Sequence, residues 1–513
     1  MNDSTDTHEF DKSALISTSS EKKFIDFIRE RLGIIIHPHQ KNDLQKLIIV
    51  ACKKFNYSTD AYITKLTESR DNSPLIEHLI LGITIGETYF FRDANQIRLL
   101  QNSILPELIN RKRQENNRSI RIWSAGSSSG EEIYTIAMLL CDMLPDINAW
   151  TLNLLGTDIN TSALKKAMTG QYREWSMRSI PERYKQRYFT VKDQQYILTQ
   201  KLRDMVNFAY LNLNNDTFPS ILNDTNAKDL IICRNVLIYF DHERGATLMK
   251  KLSHCLAPGG HLILGASDPI YSTDSDLTFN QQQGAVFTRS LVSTVAETKA
   301  NTIETAGSAV KKPDKVLIKS PSHSSNDDIG IAKKPLSPDT LNNQISNLLN
   351  DGAWQEALNI IHLQQQDTVK SAFFLSAEAT AFANLGKLDQ AAQCCYQSLA
   401  LDATNIETHF TLAMVLVELN RLKDAENELR KTLFLDHQFV MGHFQLGLLL
   451  IKNQQFELGI KCLKNALSIV KAKNPDDVVA GFQKIIYGNL AEILEHEIEL
   501  HMPPKDPRHD SHK

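Results

Sequence analysis

Short apolar runs alternate with longer amphipathic stretches between residues 111 and 290. RIWSAG (121–126), TLNLLGTDIN (151–160), VNFAYLNL (206–213), DLIICRNVL (229–237) and GGHLILGAS (259–267) read as strands, and AVFTRS (285–290) as a last strand beside the sheet edge. Strands alternating with helices predict an α/β fold, a mostly parallel sheet with helices on both faces. Residues 21–110 carry helical periodicity and predict an N-terminal helical domain, preceded by a polar, disordered stretch at 1–20.

The pattern changes twice towards the C-terminus. Residues 291–337 lack aromatics and are rich in Ser, Lys, Pro and Thr, too polar to offset the entropy of ordering, so a flexible linker is expected. Few contacts should cross such a linker, which predicts that residues 1–290 fold without the remainder. Beyond it a period of 34 residues sets in. Ala357, Ala391, Ala425 and Gly459 repeat at that spacing, as do the turn positions Gly352, Gly386, Asn420 and Gln454; Ala379, Ala413 and Gly447 fall twelve residues before the last three anchors. Small residues where two helices cross, with a turn former between them, are the signature of tetratricopeptide repeats (TPR). Four repeats over 338–471 and a polar capping helix near 475–500 make a C-terminal all-α solenoid domain spanning 338–500. Its inner helices, 372–384, 406–418 and 440–452, carry Glu378, His409, Glu418, His443 and Gln445 among apolar positions, a mix suited to an unidentified protein or peptide partner.

Composition narrows the classes. The 513 residues are 42% hydrophobic and 23% charged, enough for two or more cores, and a net charge of −4 gives no electrostatic case for nucleic acid. The seven cysteines form no CxxC pair and no cluster with histidine, so they read as reduced thiols of a cytoplasmic protein, with no metal site. No apolar run reaches the length of a membrane span, so no membrane insertion is expected.

Candidate chemistry gathers at the ends of the predicted strands. After 120–124, the small-residue loop Gly126–Gly130 lets backbone approach a ligand, and Glu131, opening the next helix, can face a cationic group; its other reading is a carboxylate favoured by the helix dipole. Asp158 ends the second strand, where an acidic residue can accept hydrogen bonds from both ribose hydroxyls. Helix capping there falls to Asn160 or Thr161, which leaves Asp158 free for the ribose. Asn212–Leu213 and Asn235–Val236 close the next two strands, where an amide and a backbone group can read an adenine edge and hold an amino-acid tail. In ETYFFRD (87–93), Arg92 follows three aromatics and is placed to grip a carboxylate. Together these segments look like the two halves of an S-adenosylmethionine (SAM) pocket on a Rossmann-like methyltransferase domain at 111–290.

TYFFRD, WSAGSSSGEEIY, GTDIN, NLN, CRNVLIYF and PGGHLILGASD, in this order over about 21–290, resemble the CheR family of chemotaxis receptor methyltransferases. The resemblance implies protein-glutamate O-methylation of methyl-accepting chemotaxis receptors, with S-adenosyl-L-methionine as cofactor. It implies cofactor contacts at Thr88, Arg92, Glu131, Asp158, Asn212, Leu213, Asn235 and Val236, catalytic roles for Arg92 and Tyr239, and a small antiparallel subdomain near 171–205. The sequence departs from the family at Gly86, where many members have Asn, at Ile133 for Pro, and at Gly265-Ala266-Ser267-Asp268 for Gly-His-Ser-Glu. Lys46–Lys54 also lacks the arginine-rich helix that members present to receptors, which shifts partner selection towards the repeats. The rival readings are an enzyme acting on a small molecule or RNA, and a SAM-binding scaffold that works through its repeats.

Overall fold

The computed structural model describes residues 18–69, 73–84, 86–216, 218–271, 277–280, 285–290, 338–350, 352–365, 371–475, 477–479 and 486–501. The linker and the first seventeen residues, on which two sequence expectations fall, lie outside the described residues.

Seven strands form the central sheet: β1 (Ser119–Ala125), β2 (Thr151–Asp158), β6 (Val206–Tyr210), β7 (Lys228–Cys233), β8 (Leu256–Leu264), β9 (Leu277–Asn280) and β10 (Val286–Arg289). Their order is β6-β2-β1-β7-β8-β10-β9. The first five run parallel, and β10 lies antiparallel to both β8 and β9. AVFTRS therefore sits one strand in from the edge, and LTFN (277–280) forms the edge that the sequence did not reveal. The chain winds outward from β1 in one direction to β2 and β6, and in the other from β7 to β8. The switch point of this doubly wound sheet falls between β1 and β7, where a ligand crevice opens beyond the carboxyl ends.

A second sheet, β3 (Gln171–Tyr172), β4 (Phe189–Lys192) and β5 (Gln195–Leu198), is antiparallel in the order β3-β5-β4 and is the small subdomain. The N-terminal helices Thr18–Leu32, Lys41–Phe55, Thr59–Thr67 and Pro74–Ile83 have their own core of Phe24, Ile28, Ile48, Tyr62, Leu66 and Leu79. From Phe90 to Ile109 the buried side chains instead join the core of the sheet, beside Ile122, Ile136 and Leu154.

The repeat region is a row of helix hairpins, from Pro338–Asn350 and Trp354–Gln365 to Val440–Lys452 and Phe456–Lys471, closed by Tyr487–His501. Each hairpin turns through a left-handed residue: Gly352 (φ 79°), Gly386 (74°), Asn420 (56°) and Gln454 (61°). This is the terminating geometry that glycine and asparagine adopt most easily, and Gln454 is held in it despite its side chain. Ala379, Ala391, Ala413 and Ala425 are fully buried at the crossings. In the last hairpin a Cβ on Gly447 would stand 2.7 Å from Leu463 Cδ2 and 3.1 Å from the Gly459 carbonyl.

Two expectations about this solenoid are corrected. Glu378, His409 and Glu418 do not face an open groove, being 3%, 6% and about 9% exposed. Glu378 pairs with His362 at 3.2 Å and His409 with Glu428 at 2.6 Å, both inside the solenoid, while Glu418 reaches Arg121 of β1. The second correction follows from that last contact. The solenoid packs on the catalytic unit: Asn384 Oδ1 accepts from the Ile221 amide (2.9 Å), Asn226 Nδ2 donates to the Ala383 carbonyl (3.0 Å), and Ile221 and Leu222 join the solenoid core.

Gly447→Val is expected to overpack the last crossing and cost about 1–3 kcal/mol. Urea unfolding followed by circular dichroism checks this through a lowered midpoint.

Candidate cofactor cleft and active site

The loop after β1 is shaped by protein neighbours as well as by conformation. Gly126 (φ 77°) and Gly130 (φ 85°) are left-handed. A Cβ on the first would stand 2.5 Å from Val236 Cγ2, and on the second 2.8 Å from Phe208 Cζ. The loop is thus pressed against β6 and against the turn after β7. The Gly126 and Ser127 amides both donate to the Thr157 carbonyl at 2.8 Å. Asp158 completes the cradle, its Oδ2 accepting from the Ser128 amide (2.8 Å) and its Oδ1 from the Asn160 amide (2.8 Å). Asn160 caps the following helix through the Ala163 amide (3.0 Å), as expected. Asp158 is therefore not an idle carboxylate; it fixes the loop while its two oxygens keep some acceptor capacity for hydroxyl donors. Burial pushes its pKa up, against the pull of these backbone amides.

Glu131 has no exposed surface. Its carboxylate accepts from Ser129 Oγ (2.7 Å) and Ser176 Oγ (2.9 Å), with Lys166 Nζ at 4.0 Å, so it ties the loop to the subdomain. Its neighbour Glu132 accepts from Ser124 Oγ (2.6 Å) and pairs with Arg234 Nε (2.6 Å). Arg234 Nη1 also donates to the Arg92 carbonyl (2.9 Å) and to Gln96 Oε1 (3.0 Å), while Gln96 Nε2 reaches the Leu264 carbonyl (2.7 Å). Five segments around the strand ends meet in this buried network. Arg234 thus acts by holding backbone.

The TYFFRD segment is anchored by its aromatics. Phe90 packs edge-on against Tyr172 and Phe189, with centroids at 4.8 and 5.1 Å, and its amide donates to the Ser176 carbonyl (3.0 Å). Phe91 stands at φ 57°, a strained setting for a bulky residue, with its amide donating to Thr135 Oγ1 (3.2 Å). The turn leaves Thr88 and Arg92 half-buried at the cleft. The Arg92 guanidinium donates to the Glu87 carbonyl (2.7 Å) and lies 5.8 Å from the Tyr89 ring centroid.

On the other side of the switch point, Asn235 (φ 58°) begins a turn organised by one carboxylate. Asp268 accepts from the backbone amides of Asn235 (2.6 Å), Val236 (3.1 Å), Ile238 (3.2 Å) and Gly265 (2.8 Å). A Cβ on Gly265 would fall 2.8 Å from Asp268 Oδ2 and 2.9 Å from the Asn235 nitrogen, so this compact arrangement needs the glycine. The turn delivers Tyr239, half-buried, its hydroxyl pKa raised by burial and pulled back by the nearby Arg92 charge. Arg92 and Tyr239, far apart in sequence, are thus near enough for the charge of one to act on the other.

Asn212 and Leu213 are placed differently. Asn212 is buried, donating from Nδ2 to the Arg31 carbonyl (3.1 Å) and accepting at Oδ1 from the Asn214 amide (3.0 Å); Leu213 is buried beside it. Asn212 joins the N-terminal helices to the sheet, as do the Ile35 amide on the Tyr239 carbonyl (2.8 Å) and the Arg29–Asp241 pair (3.0 Å). Sequence reasoning weighed Glu132 only as an alternative ligand to Glu131 and missed its pairing with Arg234, the bridging by Gln96 and the four-amide role of Asp268; the replacement at Gly265–Asp268 was the one available signal for the last.

The cleft suits an adenosine-bearing cation with an amino-acid tail. Asp158 keeps acceptor capacity, Arg92 supplies a cation for a carboxylate, and Ser127 Oγ is buried at the loop without a partner among the described residues. Comparison with known proteins agrees. Residues 86–286 match the family model described as CheR methyltransferase, SAM binding domain. A chemotaxis protein methyltransferase of Borreliella burgdorferi is 34% identical over 270 residues, 52% of this chain and 93% of the relative. Chemotaxis protein methyltransferase 2 of Vibrio cholerae is 31% identical, over 48% of this chain and 84% of the relative. Among solved structures, MamA from Desulfovibrio magneticus RS-1 aligns with 32% of this chain and 92% of its own, at 20% identity and a TM-score of 0.25. The chain belongs to the CheR family of chemotaxis protein methyltransferases, as an S-adenosylmethionine-dependent member that carries a C-terminal tetratricopeptide solenoid.

Proposed function

We propose that the chain methylates glutamate side chains of methyl-accepting chemotaxis receptors, giving methyl esters that adjust signalling. The Asp158 cradle at the switch point, with Arg92 near enough for its charge to act on the Tyr239 hydroxyl, is the observation that carries this reading. S-adenosylmethionine, when bound, supplies an electrophilic methyl group. Asp158 holds the ribose hydroxyls, the Asn235–Val236 turn meets the adenosine side, and Arg92 binds the carboxylate of the amino-acid tail. A glutamate acceptor, with an ordinary pKa near about 4.3, is already ionised at neutral pH, so no general base is needed. What the protein contributes is alignment and the exclusion of water from the acceptor oxygen. Tyr239, whose ordinary pKa of about 10 burial raises further, keeps its proton at neutral pH, and its hydroxyl orients the acceptor by hydrogen bonding.

The solenoid selects among protein partners, with Gln445 the half-buried inner-helix position left after Glu378, His409 and Glu418 are spent internally and His443 bonds the His437 carbonyl (3.0 Å). No helix among the described residues is long and apolar enough to cross a membrane, which suits action on the cytoplasmic parts of receptors.

Three outcomes are expected. Arg92→Ala should weaken cofactor binding by about tenfold or more, as loss of a charge-assisted hydrogen bond implies. Calorimetry with S-adenosylhomocysteine checks it, and a normal affinity with slowed transfer would move Arg92 to the acceptor.

Acidification should weaken cofactor binding at a pH above that at which an exposed Asp titrates. The raised Asp158 pKa means its acceptor carboxylate is neutralised early as pH falls. Asp158→Asn should bind weakly with a flatter profile, read by calorimetry across pH 5–8.

Transfer of tritiated methyl to membranes bearing the organism's receptors should yield base-labile label released as methanol, reduced at least about tenfold in Tyr239→Phe with cofactor affinity retained. Label that survives base would exclude a glutamate ester.

A further inference from the structure

The amino ends of the strands, at the opposite side of the sheet from the cleft, hold a concentration of buried charge that methyl transfer does not use. Arg121 of β1 and Lys228 of β7 are 7% and 0% exposed. Lys228 Nζ donates to Asn153 Oδ1 of β2 (3.0 Å) and to Asp224 Oδ1 (2.9 Å). Arg121 Nη2 donates to Asp224 (2.9 Å), to the Asn226 carbonyl (3.2 Å) and to Asn226 Oδ1 (3.1 Å), and its Nη1 pairs with Glu418 of the solenoid. Nearby Asp229 is engaged by Lys112 (2.8 Å) and by the Arg121 amide (3.0 Å). The remaining set is two cations facing two carboxylates. One of those carboxylates, Glu418, comes from beyond residue 337.

Buried charge is tolerated only when it is paired, and removing one partner leaves the other stranded. The catalytic unit alone would therefore keep Arg121 and Lys228 against Asp224 only. The fit around this cluster is close: a Cβ on the solenoid turn Gly386 would stand 2.3 Å from the Ala227 Cβ, and Ala227 itself is left-handed at φ 46°. The stretch between β6 and β7 adds Ile221 and Leu222 to the solenoid core.

We propose that the amino ends of β1, β2 and β7, with residues 220–228, form a docking site for the chain's own solenoid that stays closed in solution, with Glu418 as the counter-ion that fixes it. The solenoid is then a rigid arm of the catalytic unit rather than a module on a tether, and it holds its partner in one fixed relation to the cleft. The same docking places its turn edge, at Asn384, Gly386 and Glu418, out of reach of other partners.

The Ile221 amide, bonded across the interface to Asn384 Oδ1, reports docking directly. In the full chain its hydrogen exchange should be slowed at least about a hundredfold relative to an unstructured peptide. Glu418→Gln should accelerate it about tenfold or more, and the apolar pair Arg121→Met with Glu418→Leu should recover much of the protection, as replacement of buried ion pairs allows. Unprotected exchange in the unmodified chain, or an unchanged rate in Glu418→Gln, would overturn the proposal. Should Glu418→Gln fail to fold, small-angle scattering of the unmodified chain decides: one compact particle supports docking, and two separated bodies refute it.

Discussion

The Arg234 guanidinium is the interaction on which the cleft depends. It is nearly buried, paired with Glu132 at 2.6 Å, and bonded to the Arg92 carbonyl and the Gln96 amide oxygen. Through these few bonds the end of β7, the helix after β1 and the TYFFRD turn share one geometry. Losing one partner of such a buried pair costs about 3–5 kcal/mol, far more than a surface ion pair. Rigid placement of the Arg92 backbone is what keeps its charge near Tyr239 across the switch point.

Around that hub, backbone strain is accepted and held by side-chain acceptors. Ser128, Phe91 and Asn235 all stand at positive φ, which non-glycine residues seldom adopt. Each is countered by a definite bond: Ser128 by Asp158, Phe91 by Thr135, Asn235 by Asp268. Asp268 shows why side-chain length matters here. Four amides converge on its two oxygens from turns on either side, one of them the Gly265 amide three residues before it, and that glycine is the residue whose Cβ would collide with the carboxylate. An aspartate with this glycine packs the turn closely, so the Gly265–Asp268 departure from the family pattern is structurally self-consistent.

The sheet was legible because parallel strands buried on both faces leave near-continuous apolar runs, as in LIIC of β7. The solenoid was legible through its 34-residue period, and even Gln454, a poor turn former, keeps its place in it. The edge strand β9 was not, since LTFN is short and largely uncovered, with no apolar run to mark it. The acidic positions were legible as residues and opaque as roles. Glu131 is satisfied by Ser129 and by Ser176, forty-five residues away, and no local pattern announces that second partner. Asp158 looked free because capping fell to Asn160, yet the loop it holds lies thirty residues upstream. In the solenoid, polar residues at inner-helix positions suggested a groove; His362, Glu428 and Arg121 absorb three of them, and these partners become neighbours only in the folded chain.

The two ends of the parallel sheet solve opposite problems. At the carboxyl ends, irregular turns aim backbone amides inward, and carboxylates collect them while keeping acceptor capacity for a ligand. At the amino ends, long basic side chains enter between strands, and carboxylates must come from outside to balance them. Arg121 on β1 and Gly126 just beyond its end lie five residues apart, so β1 carries a permanent charge pairing at one end and an adaptable loop at the other. A strand held firmly at its amino end by buried charge is a rigid base for that loop. This division explains how a chain can dock a large helical arm on the sheet without intruding on the chemistry: the arm brings Glu418 to the end where buried charge needs a counter-ion, and the cleft occupies the end where acceptor capacity is left for a ligand.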